Sequence, residues 1–167
     1  MMARQLAAGL NQQHVYPKGA AMRLSELSGM ELLQMVMAGK LPPPSMADTM
    51  QMKLVRVEKG GAVFQARAGD HHLNPMGGVH GGFAATVLDS ATGCAVHTML
   101  GPGDSYGTVD LNVKMLKPVP VGVPLYAEAH VIHCSKRLGV ADALLKDDQG
   151  CVYAHGTASC LITRKAS

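Results

Sequence analysis

Apolar and polar residues begin to alternate near Thr49, where Met50, Met52 and Leu54 are spaced by Gln51 and Lys53. A period of two is that of a half-buried strand. Glu58-Lys59-Gly60-Gly61 then reads as a turn, and residues 62–68 return as the second strand of a hairpin. Residues 106–116 alternate again, with Val109, Leu111, Val113 and Met115 on one face. Residues 125–134, 138–147 and 151–163 complete a run of four strands. They are separated by a loop at 118–124 and by turns at Ser135-Lys136-Arg137 and Asp148-Gln149-Gly150.

Two stretches follow a helical pattern instead. Ser28 with Glu31 three residues later forms a capping box. The apolar positions Met30, Leu33, Met35 and Met37 carry that helix to about Ala38. Gly39 ends it, and Leu41-Pro42-Pro43-Pro44 stiffens the link that follows. A second helix starts near Phe83 and runs for about 18 residues, roughly 27 Å. It is apolar or small on every side, as expected of a helix wrapped by other structure. Residues 1–24 show no periodicity and predict a loosely docked tail, leaving 25–167 as one domain. The order helix, two strands, long apolar helix, four strands predicts an α+β fold, an antiparallel sheet wrapped around one long central helix.

Composition narrows the function classes. At 47% hydrophobic and 16% charged residues the chain is globular. A net charge of +3 with no basic stripe, no Trp and only two Phe argues against nucleic acid. The central helix is interrupted by Asp89, Gly93 and His97 and lacks charged flanks, so it does not predict a membrane span. Cys94, Cys134, Cys151 and Cys160 form no CxxC pair and read as reduced thiols. Without a signal-peptide pattern at the N-terminus, the expected location is cytoplasmic. The twelve methionines suit flexible core filler or an adaptable acyl pocket.

The chemistry concentrates at residues 74–100. Between Asp70 and Asp104 the only acidic or basic side chain, histidines aside, is Asp89. A carboxylate is costly to bury unless it is paired or hydrogen-bonded. Its helical neighbours Ala85, Thr86, Thr92 and Gly93 are small and leave room for a partner helix, a water or a substrate. A buried Asp bonded to backbone or hydroxyls would fit the same sequence. Gly81 and Gly82 stand at the mouth of this helix, where free N–H groups bind anions or polarised carbonyls and glycine permits close approach. No GxSxG elbow, GxxxxGK[ST] loop or GxGxxG turn is present. His130 and His133, three apart on a strand, would point to opposite faces and make a poor metal pair, and His71 with His72 is no better. No metal or cofactor is expected.

The loop Asn74-Pro75-Met76-Gly77-Gly78-Val79-His80-Gly81-Gly82, followed by Asp89, resembles that of hotdog-fold acyl-CoA thioesterases of the phenylacetate-pathway (PaaI-type) group. The likeness extends over about residues 25–163, including the LPPP linker, Thr108-Val109-Asp110-Leu111-Asn112 and Ala154-His155-Gly156-Thr157. It implies a hydrolase cleaving acyl-CoA to acid and CoA. Asp89 matches the family's catalytic carboxylate, acting as general base or nucleophile. Gly81 matches the glycine whose N–H polarises the thioester carbonyl. Asn74 and His80 match loop residues that position the thioester and water, and Thr108 matches a hydroxyl supporting the attacking water. A related branch places a hydroxyl four residues after its acid, where this chain has Gly93. The family forms homodimers that pair into tetramers, so that Asp89 faces the 74–81 loop of a neighbouring subunit. Gly82, Phe83, Met76 and Leu88 are candidates for shaping the pocket. Lys136 and Arg137 would meet CoA phosphates or form a solvated turn. A non-catalytic acyl-CoA-binding or assembly module on the same fold is the alternative.

Overall fold

The computed structural model describes residues 24–165. The expected tail lies outside them, except for Leu24, which opens a 3-10 turn (Leu24–Glu26). Helix α1 (Gly29–Met37) starts as expected. The Ser28 hydroxyl accepts from the Glu31 N–H at 3.3 Å, and Glu31 Oε2 accepts from the Ser28 N–H at 2.8 Å. Gly39, at φ +68°, ends it in the left-handed conformation that glycine adopts without strain.

The alternation near Thr49 is only partly a strand. Residues Ser45–Thr49 form a short helix, α2, and β1 begins at Met52 (Met52–Glu58). Met50 and Met52 are both buried, but Met50 caps α2. Gln51, at φ +45°, turns the chain between them. Two apolar residues two apart thus satisfy a helix end and a strand start equally well. The β1–β2 hairpin (β2, Gly61–Arg67) is as expected.

The central helix α3 (Gly81–His97) begins two residues earlier than Phe83. Strands β3 (Ser105–Met115), β4 (Pro124–Cys134), β5 (Leu138–Lys146) and β6 (Val152–Thr163) follow. All pairings are antiparallel, in the order β1-β2-β4-β5-β6-β3. This is the hotdog arrangement, with α3 lying in the curl of one six-stranded sheet.

Small side chains set how closely the helix seats. Ala62, Ala129, Ala143 and Gly156 are aligned across four neighbouring strands and form a trough under α3. A Cβ at Gly156 would come within 3.2 Å of the Leu88 Cβ, so the helix rests directly on the sheet there. Leu88, Val87, Ala91, Ala95 and Val96 are fully buried against it. Leu88 is therefore core and does not shape a pocket.

Two bulges change which side chains face inward. The register shifts between Thr108 and Asp110, so Val109 bulges out and is 64% exposed. Tyr106 and Thr108 before the bulge, and Leu111, Val113 and Met115 after it, pair with inward-facing residues of β6. The single alternating face expected to hold Val109 is corrected accordingly. A second shift between Val131 and His133 leaves Ile132 as the odd residue. His130 then pairs with Asp142 and His133 with Val140, which lie two apart on β5. The two histidines share the outer face and do not oppose each other. Among the described residues no group of three or more His, Cys, Asp or Glu is arranged to hold a metal ion.

The ends of α1 and α3 lock together. The Gly29 N–H donates to the Leu100 carbonyl at 3.0 Å, and a Cβ at Gly29 would collide with the His97 carbonyl. His97 is thereby pressed between α1 and Tyr106, whose ring lies 5.3 Å from its own. Burial lowers the His97 pKa below its ordinary 6.5. The unfolded chain then binds a proton that the folded chain refuses. Stability falls as pH drops from 6.5 to the lowered folded pKa, stays reduced below it, and is regained as pH rises back through that window. Thermal melts between pH 5 and 7 are expected to show a falling Tm on the acid side and a shallower slope in His97→Gln. Equal slopes would remove His97 as the source.

Candidate active site

The loop before α3 is held by its own polar groups. Asn74 Oδ1 accepts from the N–H groups of Met76 (2.9 Å) and Gly78 (3.3 Å), and Gly77 turns the loop at φ +83°. The Asn74 side-chain carbonyl is thus spent on the loop, and among the described residues no hydrogen bond uses its Nδ2 amide. A bridge between Leu73 and Val79 and a 2.8 Å bond from the His80 N–H to the His72 carbonyl close the loop's base.

His80 is the N-cap of α3. Its Nδ1 accepts from the Gly82 N–H at 2.8 Å, and its carbonyl accepts from the Phe83 N–H at 2.9 Å. A neutral imidazole with Nδ1 unprotonated is required for this bond. The N–H groups of Gly82 and Phe83 are therefore taken. That of Gly81, the first helical residue, has no acceptor within the helix, and no hydrogen bond among the described residues uses it. Gly81 is exposed, so this donor lies open at the positive end of the helix dipole.

Asp89 sits at mid-helix. Its Oδ1 is buried without a hydrogen-bond partner among the described residues. The hydroxyls on its face are committed elsewhere: Thr86 donates to the Gly82 carbonyl (2.9 Å) and Thr92 to the Leu88 and Asp89 carbonyls (2.9 and 3.1 Å). Among the described residues, then, neither backbone nor a neighbouring hydroxyl satisfies Oδ1, the arrangement left open from sequence.

What surrounds Asp89 was only partly visible in the sequence. Gly93, one turn on, is covered by Tyr106: a Cβ at 93 would lie 3.0 Å from the Tyr106 ring and hydroxyl. Thr108 shares the inner face with Tyr106 and places its Oγ1 3.9 Å from Cys160 Sγ. Burial, and then the Asp89 charge, push the Cys94 thiol up to about 12. Burial raises Cys160, with Asp89 adding to it, and burial raises Tyr106 well above 10, with Cys94, Cys160 and Asp89 adding smaller contributions. Both thiols and the phenol are thus neutral near pH 7. Neither cysteine is therefore a thiolate nucleophile. The sequence signal for Tyr106 was Gly93 at four residues from Asp89, a gap on the helix face that some bulky side chain had to fill.

The remaining expected site residues are scattered. Phe83 is 2% exposed, with its ring 4.9 Å from His72. Its edge joins His80, Gly82 and Thr86 around a shallow hollow of about 340 Å³. Met76 is 91% exposed at the loop tip. Lys136 and Arg137 form the exposed β4–β5 turn, where the Lys136 carbonyl accepts from Arg164 Nε at 3.1 Å. That turn adjoins Leu138, aligned through Leu161 with Gly107, whereas Gly81 abuts Met115. The two ends are separated by eight residues of β3, roughly 26 Å at 3.3 Å per residue.

Gly81 and Asp89 are also eight residues apart, on one helix, or roughly 12 Å along its axis. A donor and a base acting on the same thioester must each reach it within hydrogen-bond distance. One chain alone cannot bring its own pair together on a single carbonyl.

Comparison with known proteins places these residues in a family setting. Residues 76–154 match the Thioesterase superfamily model, a span that includes Gly81, Asp89 and Thr108. The acyl-coenzyme A thioesterase 13 of Mus musculus is 31% identical over 97 residues, covering 56% of this chain and 67% of that protein. The human protein of the same name is 31% identical over 90 residues, covering 53% and 62%. The chain spans between about half and two thirds of the length of the curated relatives it matches. Among solved structures, a phenylacetic acid degradation-related protein of Ralstonia eutropha JMP134 superposes with a TM-score of 0.71 at 29% identity, over 77% of this chain and 98% of that one.

Proposed function

We propose that this chain, which belongs to the hotdog-fold thioesterase superfamily in its PaaI-type group, hydrolyses an acyl-CoA thioester to the free acid and CoA. The observation that carries this is a pair of unspent groups: the open Gly81 N–H at the start of α3 and the unpartnered Asp89 carboxylate on it. A thioester carbonyl gains negative charge as it is attacked, and a fixed N–H at a helix N-terminus stabilises that charge. Asp89 either takes a proton from the attacking water or attacks the carbonyl itself, giving an anhydride that water then opens. The thiolate leaves with little need for an acid, in keeping with a face whose other groups are neutral. Thr108 supports the water from β3. His80 locks the helix start, so that Gly81 alone donates, and the Asn74 amide faces the thioester.

The roughly 12 Å between Gly81 and Asp89 requires two chains per site, with Asp89 of one opposite the 74–81 loop of the other. A homodimer is supported by β3, which ends the sheet and carries exposed apolar side chains on both faces, Val109 outward and Leu111 and Met115 inward, that a second copy would cover. Pairing of dimers into a tetramer goes one step further. Lys136 and Arg137 lie far from the loop of their own chain, so any contact with CoA phosphates would be made across subunits. Among the described residues no helix is long and apolar enough to cross a membrane.

The test is thiol release from a panel of aromatic and short-to-long aliphatic acyl-CoAs. Steady turnover on at least one member is expected. Stoichiometric binding of CoA esters without turnover would replace the hydrolase with an acyl-CoA-binding module.

A further inference from the structure

Just beyond the end of β3 a thiol has an amine against it. Lys117 Nζ donates to the sulfur of Cys151, the residue before β6, at 3.0 Å. Backbone bonds hold both residues in place. The N–H groups of Leu116 and Lys117 donate to the Tyr153 carbonyl at 2.8 and 3.1 Å. The Cys151 N–H donates to Asp147 Oδ1, and the Tyr153 hydroxyl to Asp147 Oδ2, each at 2.9 Å. Asp147 is thereby spent on the β5–β6 turn, and among the described residues no carboxylate forms an ion pair with Lys117. Lys117 is exposed and Cys151 half-buried, so a small oxidant reaches the sulfur. Oxidation selects thiols that are accessible and have a cation beside them. The other thiols lie at the opposite end of the sheet. Cys134 and Cys160 both align with Gly139, whereas Val152, next to Cys151, aligns with Lys146. Those levels are seven residues of β5 apart, roughly 23 Å at 3.3 Å per residue. Cys94 is bonded to Tyr106, which pairs with Ile162 at that same far end. An amine, and not a second thiol, is therefore the group poised to meet an oxidised Cys151.

We propose that Lys117 and Cys151 form an oxidation site at which hydrogen peroxide joins the two side chains through a sulfur–nitrogen bond. The inference does not depend on the hydrolase proposed above. Peroxide converts the Cys151 thiol to a sulfenic acid and is itself reduced to water. The sulfur is then electrophilic. The Lys117 ammonium gives one proton to solvent, and its nitrogen attacks the sulfur. The S–N bond forms, the S–O bond breaks, and the departing hydroxyl takes a second proton from the nitrogen to leave as water. In the reduced chain Cys151 itself, through its hydrogen bond and then its charge, holds the Lys117 pKa above the ordinary 10.5. Oxidation of the sulfur removes that hold, so the amine is released as its target is made. Two molecules of an external thiol reverse the step, restoring thiol and amine and leaving as their disulfide.

The test is peptide mass spectrometry of the full chain carrying Cys134→Ser, after treatment with hydrogen peroxide. Trypsin places Lys117 on the peptide 115–136 and Cys151 on 147–164. With Cys134 replaced, no disulfide can join these two peptides. The expected product is a linked pair lighter than the sum of the free peptides by two hydrogens. It should be lost in Lys117→Arg and in Cys151→Ser, and released by dithiothreitol. A sulfenic acid trapped on Cys151 by dimedone with no linked pair overturns the cross-link, as does a pair that persists in Lys117→Arg. If peroxide yields neither the linked pair nor a dimedone adduct at Cys151, the oxidation site itself is overturned.

Discussion

Asp89→Asn is expected to lower kcat on the best acyl-CoA substrate by at least about 100-fold, the lower end of what a positioned acid or base contributes, with the assembly intact. The exchange is isosteric and removes only the charge and the basicity. It breaks no hydrogen bond at Oδ1, because none is made there among the described residues. Asp89 as a whole is partly exposed, but its Oδ1 is buried, and an ionised oxygen left there without a donor costs more than a neutral amide. The variant should therefore melt at the wild-type temperature or above it. Lost turnover with equal or raised Tm separates a group kept for chemistry from one kept for the fold. Turnover within a few-fold of wild type would remove Asp89 from the mechanism. If kcat and Tm fell together, its role would be structural.

The largest effect on stability is expected one residue earlier. Leu88 points about 100° around the helix from Asp89, into the trough beneath it, and is 0% exposed. Its side chain packs on Gly156, within 3.2–3.6 Å of where a Cβ there would sit. Glycine and alanine in the trough have no side-chain mass with which to fill a gap. Leu88→Ala should therefore leave a cavity that does not collapse, at a cost of about 2–5 kcal/mol. For a domain of this size that corresponds to a Tm lower by about 2–4 °C for each kcal/mol. Chemical and thermal denaturation would measure it. A loss under about 1 kcal/mol would mean that the helix resettles onto the sheet. The two substitutions are adjacent in sequence and opposite in consequence because a helix turns by 100° per residue.

Patterns governed by local rules were legible in the sequence. The capping box at Ser28 and Glu31, the stop at Gly39, the hairpin about Lys59 and Gly60 and the long apolar helix are all set within a few residues of chain. The isolation of Asp89 among uncharged residues was equally plain. The bulges at Val109 and Ile132 were not. A bulge adds one residue to one strand, and only the partner strand reveals it. Without the first, Thr108 would turn away from the helix that carries Asp89. The short helix at Ser45–Thr49 escaped because Met50 and Met52 satisfy two patterns at once. Nor does the sequence say which glycine N–H stays free. Gly81 and Gly82 look alike until the His80 ring is placed, and that one bond leaves the donor at Gly81.

The two-turn separation of Gly81 from Asp89 has a consequence for how such an enzyme behaves in dilute solution. On the proposed reading the catalytic unit is a pair of chains, so the number of working sites follows mass action in the protein itself. Above the dissociation constant of the pair, rate is proportional to total protein. Below it, rate tends toward the square of the concentration, and specific activity falls although every chain remains folded. Saturating substrate that bridges both chains would draw the pair together and conceal the effect. The dependence is therefore clearest at low substrate, where a fall in specific activity on dilution would reflect assembly and not damage.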